Sequence, residues 1–344
     1  MIDMKSVKTE EAAGLVLCHD ITRIIKGVVK DAVFRKGHVI SASDIPLLSS
    51  LGKDYVYIWE KREGMLHEDD AADILRQICQ GANMHPTLPK EGKIELVADI
   101  DGLLLADTGR LRAINSLGEM MIATRASGFP VKRGDKLCGT RVIPLAIEKE
   151  KMENARRVAG DEPLLRLLPF QAKNYGLVIT GNEVFHGLIQ DTFSQVIREK
   201  LAEYGCEMVK HRILDDNPAK ITAAINEMLA EGADMVFCTG GMSVDPDDTT
   251  PLAIKNSGAS IVSYGVPVLP GAMFLIAYTA DKRPVCGLPG CVMYAGRSIF
   301  DLVLPFLLAD LPVTPEWLAG LGNGGLCLDC PDCRYPNCMF GKGN

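Results

Sequence analysis

Apolar and polar positions fall into three textures along the chain. Up to about Arg62, short apolar runs are broken by predicted glycine turns at Gly27, Gly37 and Gly52, and residues 1–90 read as an N-terminal α+β module. Within it a helix is predicted from His67 through Cys79. The run Glu68-Asp69-Asp70 opens it, since carboxylates favour the positive end of a helix dipole. His67 and these carboxylates read as a solvated helix start. From 91 to 150 the runs KIELVADI, GLLLA, MMIAT and RVIPLAI are separated by turn residues, which predicts a small β-barrel or sandwich module. The stretch EKEKMENARRV is charged and helix-prone, Pro163 and Pro169 then interrupt, and a linker is predicted over 151–172.

From Tyr175 the pattern changes to alternating strands and helices. GLVIT is a short apolar run, and after it Phe193, Val196, Ile197, Leu201 and Tyr204 recur at helical spacing behind Asp191. CEMVKHRIL is strand-like, and Asn217-Pro218 is a cap followed by proline at the first helical position. Ile221, Ala224, Ile225, Met228 and Leu229 complete one face of that helix. ADMVFCT, a run near Ile261 and a run around Val285 read as further strands, and a long helix is predicted to end near Ala309. The fold class is therefore α/β: a mostly parallel sheet with helices on both faces over residues 173–310, preceded by smaller β-rich modules. Ligands of such sheets bind beyond the carboxyl ends of the strands. The loops TGNEV, TGGMSVDPDD and GLPG all follow apolar strands, so all three are predicted to converge on one sheet edge.

Composition narrows the function classes. The chain has 344 residues, enough for two or three domains, and 37 Lys and Arg against 44 Asp and Glu leave a net charge of −7. That balance argues against nucleic acid as a partner, which requires a basic face. The N-terminus has no apolar signal core, and Ile299–Ala309 is far short of the ~20 apolar residues of a membrane span, so no membrane association is expected. Cysteines such as Cys238 and Cys286 lie in apolar runs where a reduced thiol acts as a small hydrophobe, which points to the cytoplasm. Neither a Walker A loop nor a G-x-G-x-x-G run is present.

Read in order, the loops resemble the molybdopterin-binding domain of molybdenum cofactor biosynthesis. The resemblance rests on Thr180, Gly181 and Glu183 of a T-G-x-E loop, Asp191 opening the next helix, and the pair Asp215-Asp216. It continues through T-G-G with trailing aspartates, Pro270-Gly271 and Leu288-Pro289-Gly290. The segment EEAAGLVLCHDI is also similar to the opening of the molybdopterin molybdenumtransferase branch. The resemblance implies that Asp248 is the key acidic residue, with Glu183 a second catalytic carboxylate and Asp215 or Asp216 a further acidic member. Gly240, Gly241 and Ser243 would offer donors to a phosphate, and Thr180, Gly181, Asp191, Asp216, Asp245, Pro270, Gly271, Pro289 and Gly290 would complete the substrate site. Carboxylates beside a phosphate and an oxyanion imply Mg²⁺ between them.

That branch typically carries lysines around its P-G-K-P loop, and the matching stretch YGVPVLPGAMF has none. Its L-P-G-N-P motif becomes LPGCV, with Val292 in place of the second proline. Read without the resemblance, Asp245, Asp247 and Asp248 are a turn and helix cap before TTPLAI, Glu183 is a loop carboxylate facing water, and both Pro-Gly pairs are turns.

The tail over 311–344 places Cys327, Cys330, Cys333 and Cys338 as C-x2-C-x2-C-x4-C, a spacing suited to Zn²⁺ or a [4Fe–4S] cluster. The expected activity is Mg²⁺-dependent insertion of molybdate into adenylylated molybdopterin. Adenylylation of molybdopterin with MgATP, which transfers AMP to the pterin and releases pyrophosphate, is an alternative. So is a non-catalytic carrier that delivers the cofactor to a recipient molybdoenzyme. The resemblance also implies a homo-oligomer, a dimer or trimer.

Overall fold

A computed structural model of the chain describes residues 5–25, 29–58, 63–243, 245 and 248–343. The turn predicted at Gly27 and the carboxylate of Asp247 lie outside the described residues. The chain divides into two compact units, one of residues 1–100, 104–125 and 132–167, the other of 101–103, 126–131 and 168–344. Most of the two early segments falls in the first unit, and the tail falls in the second with the α/β segment.

In the first unit, Ser6–Lys8 pairs antiparallel with Tyr55–Tyr57 over a small core of Ala12, Leu17, Ile21, Phe34, Ile40, Leu48 and Val56. Four antiparallel strands follow in the order Met84–Pro86, Lys93–Ala98, Lys136–Val142, Met120–Thr124. The expected linker is ordered: helix Lys149–Ala159 buries Met152, Ala155 and Ala159, spaced to share one face, and strand Leu165–Pro169 follows. The Glu68–Cys79 helix forms as predicted, but its start is not solvated. His67 and Glu68 are both buried. His67 donates from Nε2 to the Cys18 carbonyl at 2.8 Å and accepts at Nδ1 from Lys36 Nζ at 2.7 Å, so a single neutral tautomer satisfies both contacts. Burial, first of all, holds its pKa below the usual histidine range.

The second unit is built on a six-stranded sheet in the order Glu207–Leu214, Asn174–Thr180, Met235–Thr239, Pro284–Leu288, Leu275–Tyr278, Ser260–Tyr264. The first four strands are parallel, and Leu275–Tyr278 runs antiparallel to both its neighbours, so that Ser260–Tyr264 points the same way as the first four. Alternation along the central strands separates two cores. Val178, Val236, Cys238 and Val285 pack with Ile221, Ile225 and Met228 of helix Pro218–Ala230 and with Ile254 of helix Thr250–Asn256. On the opposite face, Phe237 lies 6.1 Å from Tyr175 and 5.2 Å from Phe300 of helix Ile299–Leu308, ring centre to ring centre. Helices therefore cover both faces, as an apolar parallel sheet requires. Among the described residues no helix is long and apolar enough to cross a membrane.

Candidate functional site

Register places the site. Thr180 pairs with Leu214, Ile179 with Thr239, and Thr239 with Leu288, so four parallel strands end level and release their loops at one edge. Leu275 lies opposite Gly287 and Tyr264 opposite Leu275, which brings the 265–274 loop to the same edge. The predicted convergence of TGNEV, TGGMSVDPDD and GLPG is present.

Close backbone approach explains the glycines. Gly240 has φ +88°, and a Cβ there would lie 2.0 Å from the Thr180 carbonyl oxygen, so only glycine fits. Thr250 donates its hydroxyl to the Gly240 carbonyl at 2.8 Å and its N–H to the Gly241 carbonyl at 3.3 Å. Space beside Gly290 is open, and this exposed residue begins a single tight turn, Gly290–Met293, behind the buried Pro289.

The carboxylates separate by what they touch. Asp216 Oδ2 accepts the Asn182 N–H at 3.0 Å, and the Asp216 carbonyl accepts the Thr249 hydroxyl at 2.7 Å, so this residue ties the first loop to the third. Asp215 Oδ2 receives Lys220 Nζ at 2.7 Å, whereas its Oδ1, like Thr239 Oγ1, is buried with no hydrogen-bond partner among the described residues. Two unsatisfied buried oxygens at the carboxyl ends of strands are costly unless a ligand or water meets them. Asp248 is half-buried; its Oδ2 accepts the Asp245 N–H at 3.0 Å, and its own N–H donates to the Asp245 carbonyl at 2.9 Å. Ser243 and Asp245 are exposed, and Tyr264 donates its hydroxyl to the Met242 and Ser243 carbonyls at 3.0 and 3.2 Å. Burial, with the Asp248 charge second, raises the Tyr264 pKa and keeps this donor protonated.

Asp191, Pro270 and Gly271 have local structural partners. Glu183 is exposed in the short turn Asn182–Phe185, with Gly181 half-buried just before it. Asp191 caps helix Phe193–Ala202, accepting Ser194 N–H at 3.1 Å and the Ser194 hydroxyl. His211 Nε2 stands 2.9 Å from that hydroxyl, so serine here donates to the aspartate and not to the histidine, the reverse of a nucleophile relay. Pro270 and Gly271 hold a helix: the Pro270 carbonyl accepts the Ile299 N–H at 3.1 Å, and a Cβ on Gly271 would lie 2.3 Å from Ile299 Cγ2. Sequence reasoning gave no role to Thr239, the first residue of T-G-G, and missed Thr249 and Thr250, whose only signal was their place just after that loop.

The four tail thiols are free. Cys330 and Cys333 are exposed, and Cys327 and Cys338 half-buried. Among the described residues no group of three or more His, Cys, Asp or Glu side chains is gathered to hold a metal ion.

Residues 176–309 match the family described as a probable molybdopterin binding domain. This segment belongs to that domain family. Residues 6–60, in the other unit, match a domain of unknown function (DUF8806). A CinA-like protein of Mycobacterium sp. (strain MCS) is 39% identical over 75 residues, covering 22% of this chain and 18% of the relative. A molybdopterin molybdenumtransferase of Synechococcus elongatus is 26% identical over 207 residues, covering 56% of this chain and 49% of the relative. The chain thus spans less than half the length of these curated relatives. Among solved structures, the tungsten cofactor synthesizing protein MoaB of Pyrococcus furiosus aligns at 20% identity with a TM-score of 0.31, covering 40% of this chain and 88% of that one. The molybdopterin-binding domain coincides with the six-stranded sheet and its loop edge.

Proposed function

We propose that the protein acts in molybdenum cofactor biosynthesis, inserting molybdate into adenylylated molybdopterin at the loop edge of the molybdopterin-binding domain. The observation that carries this reading is the extent of the match to the molybdenumtransferase, 56% of the chain against 22% for the CinA-like relative. The former reaches beyond the shared domain. Reduced thiols throughout the chain suit action in the cytoplasm.

The described acidic residues do not assemble into a dedicated cage. They suit Mg²⁺ in the way that ion is usually held, by one or two carboxylates with substrate phosphates supplying the rest. Asp248 and Asp216 are the donors this reading uses, and the ion when bound offsets the charge of phosphate and molybdate. The chain's own part is to position. Asp216 fixes the Asn182 amide, the Asp245–Asp248 turn fixes Asp248, and the Gly290 turn leaves backbone open to an anion.

One observation favours a second reading, a carrier that binds the pterin and passes it on. The 264–274 loop lacks lysine, and its Pro270-Gly271 pair braces Ile299. The test is reconstitution of a cofactor-free molybdoenzyme with adenylylated molybdopterin, Mg²⁺ and molybdate. Wild type should activate it, and Asp248→Asn should lose about 10²-fold in turnover while retaining pterin binding. Unchanged turnover removes Asp248 from the chemistry. Tight binding without turnover selects the carrier, and incorporation of AMP from ATP selects the adenylyltransferase.

A further inference from the structure

The cysteine tail is hydrogen-bonded to Leu269 of the 265–274 loop, and its backbone is tied in an uneven way. Its stem is closed: Gly341 N–H donates to the Gly324 carbonyl at 2.9 Å. The limbs of the stem lie so close that a Cβ on Gly343 would sit 2.0 Å from the Asn323 carbonyl oxygen, and one on Gly324 2.7 Å from the Gly343 nitrogen. The outgoing limb is pinned where Leu269 N–H donates to the Gly325 carbonyl and Cys327 N–H to the Leu269 carbonyl, both at 2.8 Å. On the returning limb, the Tyr335 hydroxyl donates to the Asp301 carbonyl at 2.9 Å, Arg297 lies 5.2 Å over the Tyr335 ring, and Phe340 is buried.

Between these anchors the apex is held by nothing comparable. Among the described residues, 328–333 make no hydrogen bond, and Leu326, Leu328 and Met339 are exposed at 62%, 74% and 73%. Ordering a chain costs about 1–2 kcal/mol per residue, and a loop this small has no core of its own to offset that. All four cysteines of the tail lie on this loop. Two thiols separated by two residues can reach one metal, and a tied stem removes most of the chain entropy of bringing the first and last together.

We propose that Cys327, Cys330, Cys333 and Cys338 bind one metal centre through four thiolates, folding the apex inward while the stem stays as it is. With a divalent ion the reaction is one M²⁺ and four thiols giving a tetrathiolate dianion and four released protons, so affinity rises with pH. Thiolates serve Zn²⁺ and a [4Fe–4S] cluster alike. The proposal is independent of the pterin reading.

The test uses the full chain, stripped of metal under reducing conditions, in two arms: ZnCl₂ alone, and anaerobic reconstitution with sulfide and equal amounts of Fe²⁺ and Fe³⁺, the oxidation states the cluster contains. The expected result is either one zinc per chain or four iron and four sulfide per chain. In either case it should be lost in Cys330→Ser/Cys333→Ser, whose exposed, unbonded thiols are dispensable to the metal-free fold by circular dichroism. Failure of both arms, or metal content indifferent to the double substitution, overturns it. Should that variant fail to fold, alkylation of wild type decides: metal must protect all four thiols together, and uniform labelling of them in loaded protein refutes the site.

Discussion

The hydroxyl oxygens of Thr180 and Thr250 lie 3.1 Å apart in the buried floor of the loop edge. Thr250 gives its proton to the Gly240 carbonyl, so it must accept from Thr180, and the two residues form a directed chain across 70 positions of sequence. Thr250→Val keeps the shape, breaks both bonds and strands the Thr180 donor. The expected loss is about 1–3 kcal/mol, read from the urea midpoint. Gly240→Ala should cost at least as much, because strain at a positive φ adds to the clash with the Thr180 carbonyl. A midpoint unchanged in Thr250→Val would refute the relay.

Asp301 carries the densest charge contact of the second unit. Its Oδ1 receives Lys200 Nζ at 2.7 Å and Arg297 Nη1 at 2.8 Å, and its Oδ2 accepts the Ser298 N–H at 2.8 Å at the start of its own helix. Lys200 and Asp301 are both buried. Removing the anion leaves a buried ammonium unpaired, so Asp301→Ala should destabilise the fold by about 3–5 kcal/mol. Lys200→Met should cost less, since Arg297 remains on the carboxylate. Equal losses in chemical denaturation would contradict this division of labour.

Much of this unit is legible in sequence because its signals are local. Asn217 and Pro218 announce a helix start, and the Asn217 side chain accepts the Ala219 and Lys220 N–H groups there. Apolar runs ending in glycine loops place the edge, since strand ends in a parallel sheet must come level. What sequence does not carry is which side chains meet. Asp215 and Asp216 are neighbours, yet one faces Lys220 with a buried unpartnered oxygen and the other reaches Asn182. Pro270-Gly271 reads as a ligand loop or a turn, and only the packing of Ile299 identifies it as a helix brace. The stretch 149–159 reads as helix-prone, but its charged outer face hides the buried Met152, Ala155 and Ala159 that make it a packed helix rather than a linker.

Asp216 offers a test of loop positioning that needs no ligand. Its carboxylate is the acceptor for the Asn182 amide, and a hydrogen bond to a charged group contributes about 1.5–3 kcal/mol. In Asp216→Ala, exchange of the Asn182 amide should accelerate by about 10- to 100-fold, while amides of the Met235–Thr239 strand stay protected. The proposed pterin affinity should fall in parallel. Exchange at Asn182 equal to wild type would show that the loop is held by other means.

Glu68 gives the first unit a pH dependence of defined sign. Burial, reinforced by the Asp69 charge and opposed by Arg141 and Lys36, pushes its pKa up to about 7. Unfolded glutamate titrates near ~4.3, so between that pH and about 7 the folded protein holds a proton that the unfolded chain has released. Stability must therefore fall as pH rises through this window and level off above it, a loss of up to about 3 kcal/mol from this group alone. Glu68→Gln mimics the protonated form. It should match wild type near pH 4, lack the decline, and exceed wild type at pH 8 by the same amount. Urea unfolding at pH 5 and pH 8 reads the difference, and a variant as pH-sensitive as wild type would assign the titration to another group.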